Sequence, residues 1–131
     1  MIEMELNKII IDEKRHDQVI VLKEKKGERR LPIIIGVLEA SSIKMKLGGI
    51  EPPRPMTHDL LKNTIEGLGA QLLRVVIDKL VDNTFHAKLI LSFDGTEKII
   101  DARPSDSIAL AVRTKAPIFV EEEVIEQSQA S

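Results

Sequence analysis

A chain of 131 residues, 43% hydrophobic and 31% charged, has the size and make-up of one ordinary globular domain. Its formal net charge of -2 denies it the broad basic footprint of a passive nucleic-acid binder, and 2% aromatics leave too little for a base-stacking platform. The absence of cysteine rules out a disulfide framework and a thiolate metal site, and no apolar run approaches the ~20 residues needed to span a bilayer. The opening "MIEMELNKII" carries acids early and has no charged-then-apolar leader layout, so a cytoplasmic protein without membrane contact is expected.

Ile2, Met4 and Leu6 alternate with polar residues and predict a strand. The stretch from Asp12 to Asp17 reads as a polar turn, and Gln18 to Leu22 as a second strand. Lys23 to Arg29 is a charged turn with Gly27 available for a positive φ. Arg30 to Ile35 is a third strand, and Pro32 puts it at a sheet edge or at a strand start. From Val37 the period becomes helical and stops at Gly48-Gly49. "IEPPRP" is a stiff extended connection. Thr57 then reads as the N-cap of a helix carrying Leu60, Leu61, Ile65 and Leu68.

Gln71 to Leu80 and Thr84 to Phe93 flank a short turn and predict an antiparallel hairpin. Asp94-Gly95 turns the chain into Thr96 to Asp101. Ser105 reads as the cap of a third helix ending near Lys115, and Ala116 to Val120 as a short last strand. The expectation is an α+β fold, with a mixed, mainly antiparallel sheet and about three helices in a single domain over residues 1–124. A polar tail, either a frayed helix or disordered, follows over residues 125–131.

Two phrases stand out: "RPMTHDLL" (Arg54 to Leu61) and "RPSDSIAL" (Arg103 to Leu110). A helix start explains Thr57 as a cap and Asp59 as a carboxylate near the positive helix end. It explains neither Arg54, stiffened by prolines on both sides, nor His58, the neutral-pH titrating group there. In "DARPSD" an Arg103–carboxylate pair could merely lock a corner. Alternatively Asp101 and Asp106 present carboxylates to a divalent cation while Arg103 neutralises a phosphate, which are the parts phosphoryl transfer needs. Glu39, early in the first helix, is a third candidate carboxylate. His86 is expected on the outer face of its strand, and His16 carries little information. The run "KEKKGERR" reads as a solvated turn. A phosphate-binding loop, a serine nucleophile elbow and HExxH spacing are all absent from the sequence.

"LPIIIGVLEASSI", "RPMTHDLL", the hairpin "DNTFHAKLIL" and "IDARPSDSIALAVRTKAPIFV", taken in this order, resemble the bifunctional nuclease domain family over roughly Met1 to Val124. His86 stands where that family typically has a tyrosine, so no role is placed on it. The resemblance implies cleavage of both DNA and RNA, with nucleic acid as the partner. It also favours joining the two phrases into one polar site. In that site Asp101 and Asp106, with Glu39, hold Mg²⁺ or Mn²⁺, Arg54 and Arg103 hold the phosphate, and His58, beside Asp59, moves a proton. No organic cofactor is expected. The competing reading is a non-enzymatic binding or regulatory module in which the same charges fix corners or an oligomer interface. A phosphate-ester hydrolase of small molecules is a third, and would need a deep pocket. A small domain with a short sheet is expected to complete its core as a homo-oligomer, a dimer first.

Overall fold

Residues 30–36 alternate strictly between buried and exposed, so Leu31, Ile33 and Ile35 face a core while Pro32 and Ile34 face away. The same period-2 logic builds the whole sheet. The computed structural model describes residues 1–11, 14 and 17–130. Most of the expected turn from Asp12 to Asp17, and with it His16, lies outside the described residues. The elements in chain order are β1 (Ile2–Ile11), β2 (Asp17–Glu24), β3 (Arg30–Gly36), α1 (Val37–Leu47), α2 (Thr57–Gly67), β4 (Gln71–Val81), β5 (Thr84–Phe93), β6 (Thr96–Ala102), α3 (Pro104–Thr114), β7 (Ile118–Val120) and α4 (Glu122–Gln129).

β1, β2 and β3 form one antiparallel meander, and β4, β5 and β6 form another. The turns of the second meander are short because Asp82 (φ 51), Asn83 (φ 62), Asp94 (φ 51) and Gly95 (φ 75) adopt the left-handed conformations that two-residue hairpins demand. The three-residue β7 joins the meanders. It pairs antiparallel with Ile2–Met4 and parallel with Val75–Ile77, giving one sheet in the order β3-β2-β1-β7-β4-β5-β6. The fold is α+β with a mixed, mainly antiparallel sheet, as expected. β3 is an edge strand, one of the two placements that Pro32 allowed.

α3 is the pivot of the helical layer. Eight of its eleven residues are buried, and it touches α1, α2, β4 and β5. A helix buried nearly all round must be apolar nearly all round. Ile108, Ala109, Leu110 and Ala111 meet that demand, and the alanines let neighbouring backbones come close. No helix among the described residues is long and apolar enough to cross a membrane.

Three expectations change. Among the described residues the helices number four, not about three. The stretch expected to begin a polar tail is part of α4, whose Val124 and Ile125 sit in the core; "EEEVIEQSQ" has too few apolar residues to suggest this without the sheet beneath it. The caps also shift by one or two positions. Thr57 is already helical, and Met56 takes the cap position, its N–H donating to Asp59 Oδ2 at 3.0 Å. α3 starts at Pro104, which suits a first helical position because it has no N–H to satisfy, and Arg103 takes the cap. Ser105 is buried inside the first turn.

Because Ile125 is fully buried, Ile125→Ala should lower the unfolding free energy by about 2–4 kcal/mol in denaturant titration. A loss below about 1 kcal/mol would show that α4 is only loosely docked.

Candidate active site

Three helices meet along a polar line. Glu39 and Ser42 are three residues apart on α1, so they share a face. His58 and Asp59 lie in the first turn of α2. Asp106 and Arg113 are seven apart on α3, two turns along one face. The Ser42 hydroxyl lies 2.7 Å from His58 Nδ1, and His58 Nε2 lies 2.9 Å from Asp106 Oδ1. Asp106 Oδ2 accepts from Arg103 Nε at 3.0 Å and from Arg103 Nη2 at 2.9 Å. The same Nη2 donates to Glu39 Oε1 at 2.8 Å. The chain of contacts therefore runs Ser42–His58–Asp106–Arg103–Glu39. A second branch leaves from Arg113. Its Nε donates to Asp59 Oδ1 at 2.8 Å, its Nη1 to the Ala109 carbonyl at 2.9 Å and its Nη2 to the Ser42 carbonyl at 3.3 Å.

Not every expected residue joins this line. Asp101 on β6 lies opposite Lys88 on β5, which holds it at 2.9 Å and also lies 3.7 Å from Asp78. Its neighbours Ala87 and Leu89 point into the core, so Lys88 and Asp101 lie on the other face of the sheet. Arg54 is exposed and makes no hydrogen bond or ion pair among the described residues. His86 falls on the outer face, as expected.

Residues 20–131 match the bifunctional nuclease domain. The chain belongs to that family. An uncharacterized protein of Mycobacterium tuberculosis (strain ATCC 25618 / H37Rv) is 46% identical over 120 residues, covering 92% of this chain and 71% of its own length. Bifunctional nuclease 1 of Oryza sativa subsp. japonica is 32% identical over 114 residues, 83% of this chain but 34% of the rice protein. Bifunctional nuclease 1 of Arabidopsis thaliana is 32% identical over 105 residues, covering 77% of this chain and 32% of the plant protein. The chain thus spans about a third of the length of these plant nucleases.

The domain's polar line reaches water at both ends. The Arg103 side chain is 66% exposed at the mouth of a groove of about 480 Å³, with Asp17, Gly36, Asn83 and Ser105 among its walls. Asp59 and Arg113 border a second groove of about 390 Å³, together with Lys46, Pro55 and Asn63. Between the grooves the line is covered. Ser42 is buried, so the Ser–His–Asp chain cannot offer its hydroxyl to a polymer as a nucleophile.

Electrostatics fix the protonation pattern. Burial opposes ionisation of Asp106, but hydrogen bonds from His58 and Arg103 outweigh it and hold the carboxyl below its usual value. The ionised Asp106 needs a donor, so His58 carries its proton on Nε2. In the neutral ring Nδ1 then accepts from the Ser42 hydroxyl. Hydrogen bonds from Arg113, then from the Met56 N–H, hold Asp59 below the ordinary range as well. Asp106, then Glu39, raises the Arg103 pKa.

The three carboxylates expected around a divalent ion do not converge. Glu39 and Asp106 both close on the Arg103 guanidinium, Asp101 is on Lys88, and no group of three or more His, Cys, Asp or Glu side chains among the described residues is arranged to hold a metal. Sequence reasoning missed Ser42 and Arg113. A usable signal existed for Arg113, an arginine two turns from Asp106 on an otherwise apolar helix face. Ser42 carried none, since a serine in a helix is ordinary.

Asp59 is lowered, so its contribution to stability is full above the unfolded carboxyl value of about 3.9 and disappears as pH falls through its lower folded value. Asp59→Asn should therefore cost about 2 kcal/mol at neutral pH, as expected for a hydrogen bond to a charged partner. The gap between variant and wild type should close below about pH 4. A gap independent of pH would mean that the carboxylate charge is not what holds Arg113.

Proposed function

We propose that this domain is a nuclease that hydrolyses phosphodiester bonds of DNA and RNA at the Glu39–Arg103–Asp106 end of the polar line. One observation carries the reading: a guanidinium bonded to two carboxylates stands exposed at a groove mouth. Arg is the side chain that matches the oxygens of a phosphodiester in pairs. Family membership and the plant proteins named bifunctional nucleases support the same substrate class.

The two carboxylates take different roles because their oxygens are differently engaged. Asp106 has Oδ1 on His58 and Oδ2 on Arg103, and it is held ionised. It orients the guanidinium and has little capacity left to take a proton. Glu39 uses only Oε1, which leaves Oε2 unengaged. When Arg103 turns to the phosphate, Glu39 accepts the proton of the attacking water, which adds to phosphorus as the bond to the leaving sugar oxygen breaks, and that oxygen takes its proton from solvent. Arg103 spreads the charge that builds on the phosphoryl oxygens. His58, with both nitrogens bonded, is a positioning residue. Gly36 makes room for Glu39, since a Cβ there would lie 2.5 Å from Glu39 Oε2.

A second reading has its own observation. His58 is buried, and the charged groups along the line between Glu39 and Arg113 are all paired, as in a device that only locks three helices together. In that case the chain is a binding or regulatory module.

Purified protein incubated with labelled single-stranded RNA, single-stranded DNA and duplex DNA, each with Mg²⁺, Mn²⁺ or EDTA, separates the two. Glu39→Gln should lower kcat by at least about 100-fold with KM little changed. Arg103→Ala should damage both, and Arg103→Lys should recover part of the binding. His58→Ala should alter the pH profile of kcat. If the wild type cleaves nothing, or if the folded Glu39→Gln and Arg103→Ala variants cleave as wild type does, the locking role is the correct one.

A further inference from the structure

The start of α3 carries donors that find no acceptor among the described residues. Arg103 takes the cap position and has no acceptor to offer, so no side chain caps the helix. Pro104 has no N–H, and the first backbone bond of the helix runs from the Ser107 N–H to the Arg103 carbonyl at 3.0 Å. The N–H groups of Ser105 and Asp106 are left over. The Ser105 hydroxyl is a third such group. The residue is only 7% exposed, and its Oγ makes no hydrogen bond among the described residues. Yet that oxygen is not sealed in: the side-chain atoms that are both enclosed and unpartnered there are Gln18 Oε1 and Asp78 Oδ1. Ser105 lines the groove of about 480 Å³ at whose mouth Arg103 stands, so its hydroxyl opens into that groove.

We propose that Ser105 Oγ and the N–H groups of Ser105 and Asp106 form, together with Arg103, the subsite that holds the phosphodiester group of the substrate. The choice of phosphodiester rests on the nuclease reading; the demand for an anion does not. Backbone N–H groups only donate, a helix start carries about half a positive charge, and a free hydroxyl can donate beside them. An oxyanion with several acceptor oxygens answers all three. Arg103 alone does not make such a site. It is already shared by Glu39 and Asp106, and Asp17 adds a third carboxylate to the groove wall. A phosphate held by the guanidinium only would meet more negative charge than positive. The helix start supplies the missing donors at the same corner, one and two residues past Pro104. One non-bridging phosphate oxygen then goes to Arg103, and the other to Ser105 and the free N–H groups.

Binding, read without turnover, tests this apart from cleavage. Two probes of one sequence are titrated into ¹⁵N-labelled protein: a dinucleotide joined by a hydrolysis-resistant anionic phosphorothioate, and the same dinucleotide joined by a neutral methylphosphonate. The phosphorothioate should give saturable amide shifts, largest at Ser105 and Asp106, and the methylphosphonate should bind at least about ten times more weakly. Ser105→Ala should weaken phosphorothioate binding about tenfold, as for the loss of one charge-assisted bond. Its melting temperature should be unchanged or higher, because the lost hydroxyl bonds nothing and alanine favours the helix. A purely structural Ser105 would show the reverse, a lower melting temperature with binding intact. If the phosphorothioate binds while the Ser105 and Asp106 amides stay still, or binds folded Ser105→Ala as it binds wild type, the subsite is wrong and the nuclease reading survives with its phosphate elsewhere. If it binds nowhere, the subsite is wrong as well. Saturable shifts at the two amides in a protein that cleaves no nucleic acid would keep the anion subsite and remove the nuclease reading.

Discussion

Arg113 brings a guanidinium to a place where its side chain is 5% exposed, and the helical layer is organised around keeping that charge satisfied. An unpaired buried charge costs several kcal/mol, so every donor must find an acceptor. Arg113 finds one on each of three helices: Asp59 on α2, the Ser42 carbonyl on α1 and the Ala109 carbonyl on α3 itself. The Ser42 carbonyl belongs to a mid-helix residue. Its use by a guanidinium fixes how far α1 can slide along α3. The apolar contacts of α3 supply most of the burial, but they would tolerate small shifts. The arginine would not.

That constraint places the candidate active site. With α1 and α2 held against α3, the Ser42 hydroxyl meets His58, and His58 meets Asp106 one helix turn from the β6 end. Asp106 then presents its remaining oxygen to Arg103, which sits where strand becomes helix. A covered interior thus ends in an exposed guanidinium. Precision comes from the buried half, and access from the open half. The net charge of -2 fits this division. On the proposed nuclease reading, a chain without a broad excess of basic residues recognises its polyanion locally, through charge-assisted bonds at a few atoms.

The strands and their hairpins were legible because they rest on local rules. Alternation marked β1, Pro32 limited β3 to an edge or a strand start, and Asp94-Gly95 set the β5–β6 hairpin. The helix starts were legible as regions but not to the residue. The two Arg-Pro phrases look equivalent, yet Arg103 is three residues from Asp106 and Arg54 is five from Asp59. Three residues on a helix face a carboxylate back toward its cap, as Arg103 and Asp106 do. Five residues, with Pro53 before Arg54 and Pro55 after it, leave Arg54 exposed and without an ion pair among the described residues. The partnership of Asp59 was unreadable because its arginine lies 54 residues later. Asp101 was misplaced in the expected cluster for a simpler reason. It is five residues from Asp106 in sequence, but a strand alternates faces, and one further residue of strand decides which side of the sheet a carboxylate sees.

β7 shows what no local rule could supply. Three residues between two three-stranded meanders turn separate sheets into one, and they do so by pairing in opposite senses on their two sides. A free-standing three-stranded meander buries one face poorly. Joined through β7, the two share one helical layer, with α1 over β2 and β3 packed against α3 over β4 and β5, and α4 follows at once because the chain emerges beside β4, where Glu121 N–H bonds the Ile77 carbonyl. Residues 125–131 read as a polar tail because they were judged alone. Set against the end of β4, Val124 and Ile125 complete a core that the central strand had left open. The apolar count of a short segment therefore predicts its burial only after the surface it lands on is known.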